Sequence, residues 1–145
     1  MIFLLTGQPG SGKTTIGKMI KDDFTPSIQI DGDDLRKMTK NMDYSESGRR
    51  ANVDKAHELA AIAHQNGHNV VISLVSPYKD QRDNFKKMYW AKEIYVHTTD
   101  DRGRNDFHVA NYEPPTENFI DLDTTGLTVE ESYNKFRKSL NEFKY

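Results

Sequence analysis

The chain has 145 residues, 20 lysines and arginines against 22 aspartates and glutamates, a net charge of −2, and no cysteine. That length suits one domain able to bury its own core, and without cysteine there are no disulfides, thiolate metal sites or cysteine nucleophiles. The near-neutral charge gives no global pull toward nucleic acid or membrane; no apolar run reaches the roughly 18–20 residues that span a bilayer, and no signal-peptide pattern opens the chain, so a soluble, cytoplasmic protein is expected.

The first run, Ile2-Phe3-Leu4-Leu5, is apolar at successive positions. It predicts a central parallel strand over 2–6, covered on both faces. Gly7-Gln8-Pro9-Gly10-Ser11-Gly12-Lys13-Thr14 follows, then Thr15 and a helix predicted over 13–23. Glycine, four free positions and Gly-Lys-Thr between a strand and a helix make a phosphate-binding loop. Its glycines allow backbone N–H groups to converge on phosphate oxygens, and the helix points its positive end at the same place. Lys13 can reach the β- and γ-phosphates, and the Thr14 hydroxyl can ligate Mg²⁺. The run from Gly7 to Thr15 is therefore assigned to a nucleoside triphosphate or a close relative.

Pro26 ends the first helix region. A short strand over 28–30 delivers Asp31-Gly32-Asp33-Asp34 to its carboxyl end, the edge where ligands of open α/β sheets gather. A short helix over 34–40 and a loop at 41–44 come next. Residues 47–66 read as a long helix with Val53, Ala56, Leu59, Ala60 and Ala63 as its apolar stripe, stopped by Gly67. A buried strand over 69–74 runs into Ser76-Pro77-Tyr78, followed by a helix over 79–89 and a strand over 93–97. The polar stretch 98–118 has no clear period and reads as a lid. A last strand over 119–122 and an amphipathic helix over 129–143 complete the chain. Strands alternating with helices predict a three-layer α/β/α fold around a five-stranded, mostly or wholly parallel sheet, in one domain over 1–145.

No aspartate follows Val70-Val71-Ile72, where a motor or switch ATPase places a magnesium-binding carboxylate; Ser73 stands there instead. The carboxylates at a strand end are Asp31, Asp33 and Asp34. One of them can position a hydroxyl nucleophile in line with a γ-phosphate. The alternative for Asp33 and Asp34 is helix capping, which aspartate does well. The five histidines show no metal-ligand spacing with acids.

The chain resembles the adenylylsulfate (APS) kinases, a family of P-loop kinases. The segments that carry the resemblance are Gly7 to Thr15, Asp31-Gly32-Asp33-Asp34-Leu35-Arg36, Tyr44-Ser45 with Arg49 and Asn52, Ser73-Leu74-Val75-Ser76-Pro77-Tyr78 with Arg82, and Tyr112-Glu113-Pro114-Pro115. The resemblance implies transfer of the γ-phosphoryl of Mg·ATP to the 3′-hydroxyl of adenylylsulfate. Lys13 and Thr14 would hold triphosphate and Mg²⁺, Asp33 would take the hydroxyl proton, and Asp31 would arrange the metal's water shell. Arg36, Arg49 and Asn52 would grip the phosphosulfate end, in an acceptor site that includes Tyr44, Pro77 and Tyr78. Ser76 matches a serine that accepts a phosphoryl group in some members.

The family's lid is longer, with a Lys-Gly-Leu-Tyr segment and a Phe-Thr-Gly segment, neither of which is present here. Phe107 is the expected substitute for the aromatic that stacks on substrate adenine, and Arg102 or Arg104 the expected lid arginine. Gly48 stands where the family has an acid, and Asp54 where it has a base. A shorter lid leaves two rival readings: a kinase of the same fold acting on a nucleoside, a hydroxymethylated pyrimidine or a polynucleotide end, or a nucleotide-binding protein without catalysis. A pocket lined by Arg36, Arg49, Asn52 and Phe107 would favour a small nucleotide; a basic channel through Arg49, Arg50, Lys55 and Arg102 would favour nucleic acid. Arg82 is expected to be either part of the site or a surface ion-pair partner.

Overall fold

A computed structural model describes residues 1–144. Five strands, β1 (Ile2–Thr6), β2 (Ser27–Asp31), β3 (Asn69–Ser73), β4 (Lys92–His97) and β5 (Phe119–Asp123), form one sheet in the order β2-β3-β1-β4-β5. Every pairing is parallel, with Leu4 opposite Ile72 on one side and Glu93 on the other. The helices are α1 (Lys13–Asp23), α2 (Gly32–Thr39), α3 (Glu46–Gln65), α4 (Lys79–Tyr89) and α5 (Val129–Glu142).

Alternation along β1 explains the layers. Ile2 and Leu4 point into one core, with Leu35 of α2, Val53, Ala56 and Ala60 of α3, and Phe85 of α4. Phe3 and Leu5 point into the other, with Ile16 and Ile20 of α1 and Phe136 of α5. A strand sandwiched in this way must be apolar at every position, as the N-terminal run is. Predicted boundaries agree to within about two residues throughout, the usual uncertainty of helix ends. The stripe on α3 needs one correction: Leu59 is 38% exposed and belongs to neither core. His57 on the same helix stacks on Phe85 at 4.1 Å between ring centroids. Burial there pushes its pKa down to about 4.

The sheet's carboxyl edge collects everything chemical. The phosphate loop leaves β1, the Asp31 cluster leaves β2, the Ser76 turn leaves β3, and the lid leaves β4. The loop after β5 ends at Thr128, whose hydroxyl accepts the Glu131 amide while Glu131 accepts the Thr128 amide. That capping box starts α5 beside the phosphate loop.

Candidate active site

A cavity of about 1230 Å³ runs along this edge. Single ligand sites are commonly about 300–1,000 Å³, so this one has room for two nucleotides. The loop residues Pro9 to Thr15 form its floor, while Gly7 lies buried behind them. Gly10 has φ 84, and a Cβ there would sit 2.9 Å from Cβ of Arg104. Glycine at this position lets the lid close down on the loop.

Lys13 is buried, and its Nζ donates to the Gln8 carbonyl at 2.9 Å. Its pKa is lowered to about 8, chiefly by burial, with the Arg104 charge acting in the same direction and Asp31 and Asp33 opposing it. The loop lysine, the two carboxylates and one lid arginine therefore share one electrostatic neighbourhood. Thr14 Oγ1 donates to Asp31 Oδ1 at 2.7 Å. Asp31 Oδ2 accepts the Asp33 amide at 3.2 Å.

That last bond settles the capping question. Asp31, not Asp33 or Asp34, is the N-cap of α2. Asp33 is exposed, lines the cavity, and makes no side-chain hydrogen bond or ion pair among the described residues. Its carboxylate is available for a ligand.

The acceptor-side residues divide into those that face the cavity and those that support it. Arg36, Tyr44, Arg49, Asn52, Ser76, Pro77 and Phe107 all line it. Arg36 donates to the carbonyls of Asn41 and Asp43 and lies 4.1 Å from the Tyr44 ring centroid. It braces loop 41–44 as well as facing inward. That loop folds so closely on α3 that a Cβ on Gly48 would lie 2.2 Å from the Asp43 carbonyl oxygen; an acid has no room there. Asn52 is 6% exposed, and its Oδ1 has no hydrogen-bond partner among the described residues.

Neighbouring arginines have opposite fates. Arg50 is tied to Glu46 and Asp80 and stacks on Tyr78, whereas the Arg49 side chain has no hydrogen bond or ion pair among the described residues and faces the cavity. Tyr78, expected in the acceptor site, is buried beneath Arg50 and does not line the cavity. The lid arginines separate in the same way. Both line the cavity, but Arg102 donates to the carbonyls of Gly10, Ser11 and Thr124, while Arg104 has its guanidinium 5.2 Å from the Phe107 ring centroid. Gln8 is a further departure: its backbone belongs to the loop, but its side chain pairs with Val109 in the lid.

Ser76 has φ 46, a left-handed conformation that costs a non-glycine residue about 1–2 kcal/mol. Arg82 holds it there. Completely buried, Arg82 donates to the Ser76 carbonyl at 2.6 Å, the Glu113 carbonyl at 2.5 Å and Glu93 Oε2 at 2.6 Å. The surface ion-pair expectation for Arg82 is overturned: it sits below the site and supports it. Ser76 Oγ, inside the cavity wall, has no hydrogen-bond partner among the described residues.

Sequence reasoning missed the far end of the cavity, lined by Thr124, Leu127, Thr128, Val129 and Ser132. Thr124 Oγ1 donates to the Ser11 carbonyl at 3.0 Å, tying this loop to the phosphate loop. The available signal was positional, since residues following β5 must emerge at the same carboxyl edge.

Comparison with known proteins agrees with this geometry. The adenylyl-sulfate kinase of Rippkaea orientalis is 30% identical over 165 aligned residues, covering 97% of this chain and 91% of that protein. A cytidine diphosphoramidate kinase of Campylobacter jejuni is 33% identical over 100 residues, covering 66% of this chain and 59% of that protein. The match to the Bacillus velezensis adenylyl-sulfate kinase, 32% identical, spans about half of that protein (52%) and 66% of this chain. Among solved structures, the Mycobacterium tuberculosis APS kinase in complex with AMPPNP and APS superposes with a TM-score of 0.78 at 19% identity, over 97% of this chain and 96% of that one. A gluconokinase from Sinorhizobium meliloti reaches 0.71 at 17% identity, over 97% and 91%. At those identities the superpositions establish the P-loop kinase fold. The Adenylylsulphate kinase family model matches residues 1–117 of the 145, stopping short of β5 and α5, and on that match the chain belongs to the adenylylsulphate kinase family.

Proposed function

We propose that this chain, as a single kinase domain, transfers the γ-phosphoryl group of ATP to a hydroxyl of a small nucleotide, with the 3′-hydroxyl of adenylylsulfate as first candidate. One observation carries the reading: Asp33, free of capping duty, lines the same cavity as Lys13 and lies close enough to interact with its charge. The triphosphate would lie on the loop with its base toward Leu127 and Val129. The acceptor would lie in the arm lined by Arg36, Arg49, Asn52 and Phe107. Asp33 accepts the proton of the attacking hydroxyl as the γ-phosphorus–oxygen bond to ADP breaks. Arg104 and Lys13 supply positive charge to the transferring group.

The residues present fit a magnesium ion, because the Thr14 hydroxyl and the Asp31 carboxylate already meet at 2.7 Å. Mg²⁺ typically takes one or two protein oxygens together with water and phosphate. Bound there, it would neutralise charge on the phosphates. A small acceptor is favoured over nucleic acid by where the cations sit. Among the described residues, Arg50 and Lys55 are paired with acids and do not line the cavity, so the basic channel expected through Arg49, Arg50, Lys55 and Arg102 is interrupted. A cytoplasmic location agrees with this chemistry, and no helix among the described residues is long and apolar enough to cross a membrane.

A second reading keeps the reaction and changes the acceptor, supported by the similarity to the Campylobacter enzyme and by the short lid. The deciding experiment is a coupled assay of ADP release with adenylylsulfate and cytidine diphosphoramidate in parallel, with mass spectrometry of the products. Turnover to 3′-phosphoadenylylsulfate supports the first candidate. Turnover of the cytidine compound alone replaces it, and ATP binding without turnover of either rejects both acceptors.

A further inference from the structure

The lid has little interior of its own: residues 101–108 are all exposed, and its first buried side chain after them is Val109. A segment that buries so little must take its order from what it touches. At its start, Arg102 is fastened to carbonyls of the phosphate loop. At Val109 it is fastened again, by Gln8. Gln8 Nε2 donates to the Val109 carbonyl at 2.9 Å, and Gln8 Oε1 accepts the Val109 amide at 2.8 Å. A primary amide facing a peptide group satisfies both of its polar ends in this arrangement. Between the two fastenings lie residues 103–108, opening at Gly103 with φ 76 and carrying Arg104 and Phe107. Gln8 also touches the nucleotide side, since its own carbonyl accepts Lys13 Nζ.

We propose that Gln8 is a positioning residue that sets the lid tip in register with the phosphate loop and so holds Phe107 and Arg104 over the acceptor arm. The consequence for acceptor binding rests on the kinase reading; the consequence for lid order does not. Gln8→Met tests it, because methionine keeps the length and removes both polar atoms. Two lost hydrogen bonds should speed tryptic cleavage after Arg104 by about tenfold or more. The KM for adenylylsulfate should rise by a similar factor, and by more than either the loss in kcat or the rise in the AMPPNP dissociation constant. Phe107→Ala should raise that KM without changing the cleavage rate. Cleavage of Gln8→Met at the parental rate would overturn the proposal. So would faster cleavage with an unchanged KM, or an equal loss of AMPPNP affinity, which would mark damage to the phosphate loop itself. If the parent protein does not turn over adenylylsulfate, that acceptor assignment fails, and cleavage rates with AMPPNP affinities still decide the role of Gln8. A melting curve establishes that each variant is folded.

Discussion

Asp33 and Lys13 illustrate how residue-scale chemistry follows from neighbours. Asp31 caps α2, and this leaves Asp33 exposed with no side-chain partner among the described residues to release before it accepts a proton. Asp33→Asn keeps the shape and removes the base. Turnover should fall by about 10²–10⁴-fold while AMPPNP binding, followed by calorimetry, survives. Unchanged turnover would end the general-base assignment. Lys13 is the opposite case, a cation held in a dry place. Its pKa is lowered from 10.5 to about 8, chiefly by burial. Between those two values the unfolded chain holds a proton that the folded chain has lost. Its contribution to stability therefore rises with pH across that window and is flat below about pH 8. A bound triphosphate brings compensating negative charge and returns the proton to Lys13. At about pH 9, binding should then be accompanied by proton uptake, seen as a dependence of the calorimetric heat on buffer ionisation enthalpy. Lys13→Met should abolish that dependence.

Among the elements, α4 links the acceptor turn to the lid stem. Arg82 on α4 holds the carbonyls of Ser76 and Glu113, and Lys86 one turn further holds the Glu117 carbonyl; both cations pair with Glu93 of β4. Tyr112 adds a bond to Thr6 at 2.8 Å, and the Glu113 amide donates to the Pro77 carbonyl at 2.9 Å. The carboxyl end of the lid is thus fixed, which leaves its exposed tip to respond to ligands. Arg82→Met removes three bonds, two of them fully buried, and should cost about 3–5 kcal/mol in chemical denaturation, the usual penalty for breaking a buried ion pair from one side. Because Ser76 and Glu113 lose their anchor together, the acceptor KM should rise more than the AMPPNP dissociation constant. Equal changes in both would place the effect in global stability alone.

For the whole molecule, one edge of one parallel sheet gathers the loop, the carboxylates, the acceptor turn and the lid. Ligands that bridge them should stabilise the fold. AMPPNP with Mg²⁺ at about a hundred times its dissociation constant should add roughly 2.7 kcal/mol, a rise in melting temperature of about 5–10 °C by thermal shift. Lys13→Met should lose most of it. The strand–loop–helix start, the alternation of elements and the carboxylate cluster at the end of β2 were legible in the chain, because each is a local pattern with a local cause; Arg49 and Asn52 entered through the family resemblance, and both line the cavity. A phosphate loop is specified by glycine spacing, and a buried parallel strand by an unbroken apolar run. The division of labour within pairs was not legible. Arg49 against Arg50, Arg104 against Arg102 and Asp33 against Asp31 are chemically alike in sequence, and only the positions of Asp80, the Gly10 and Ser11 carbonyls and the Asp33 amide decide which member is engaged. The burial of Arg82 and the side-chain contact of Gln8 were hidden for the same reason, since Arg82 meets Glu93 and Glu113 11 and 31 residues away and Gln8 meets Val109 101 residues away along the chain. The sequence by itself determined the phosphate loop, the strands and the kind of chemistry they serve. Tertiary structure alone decided which side chains remain free for a ligand, because a charge stays available only where folding has brought it no partner.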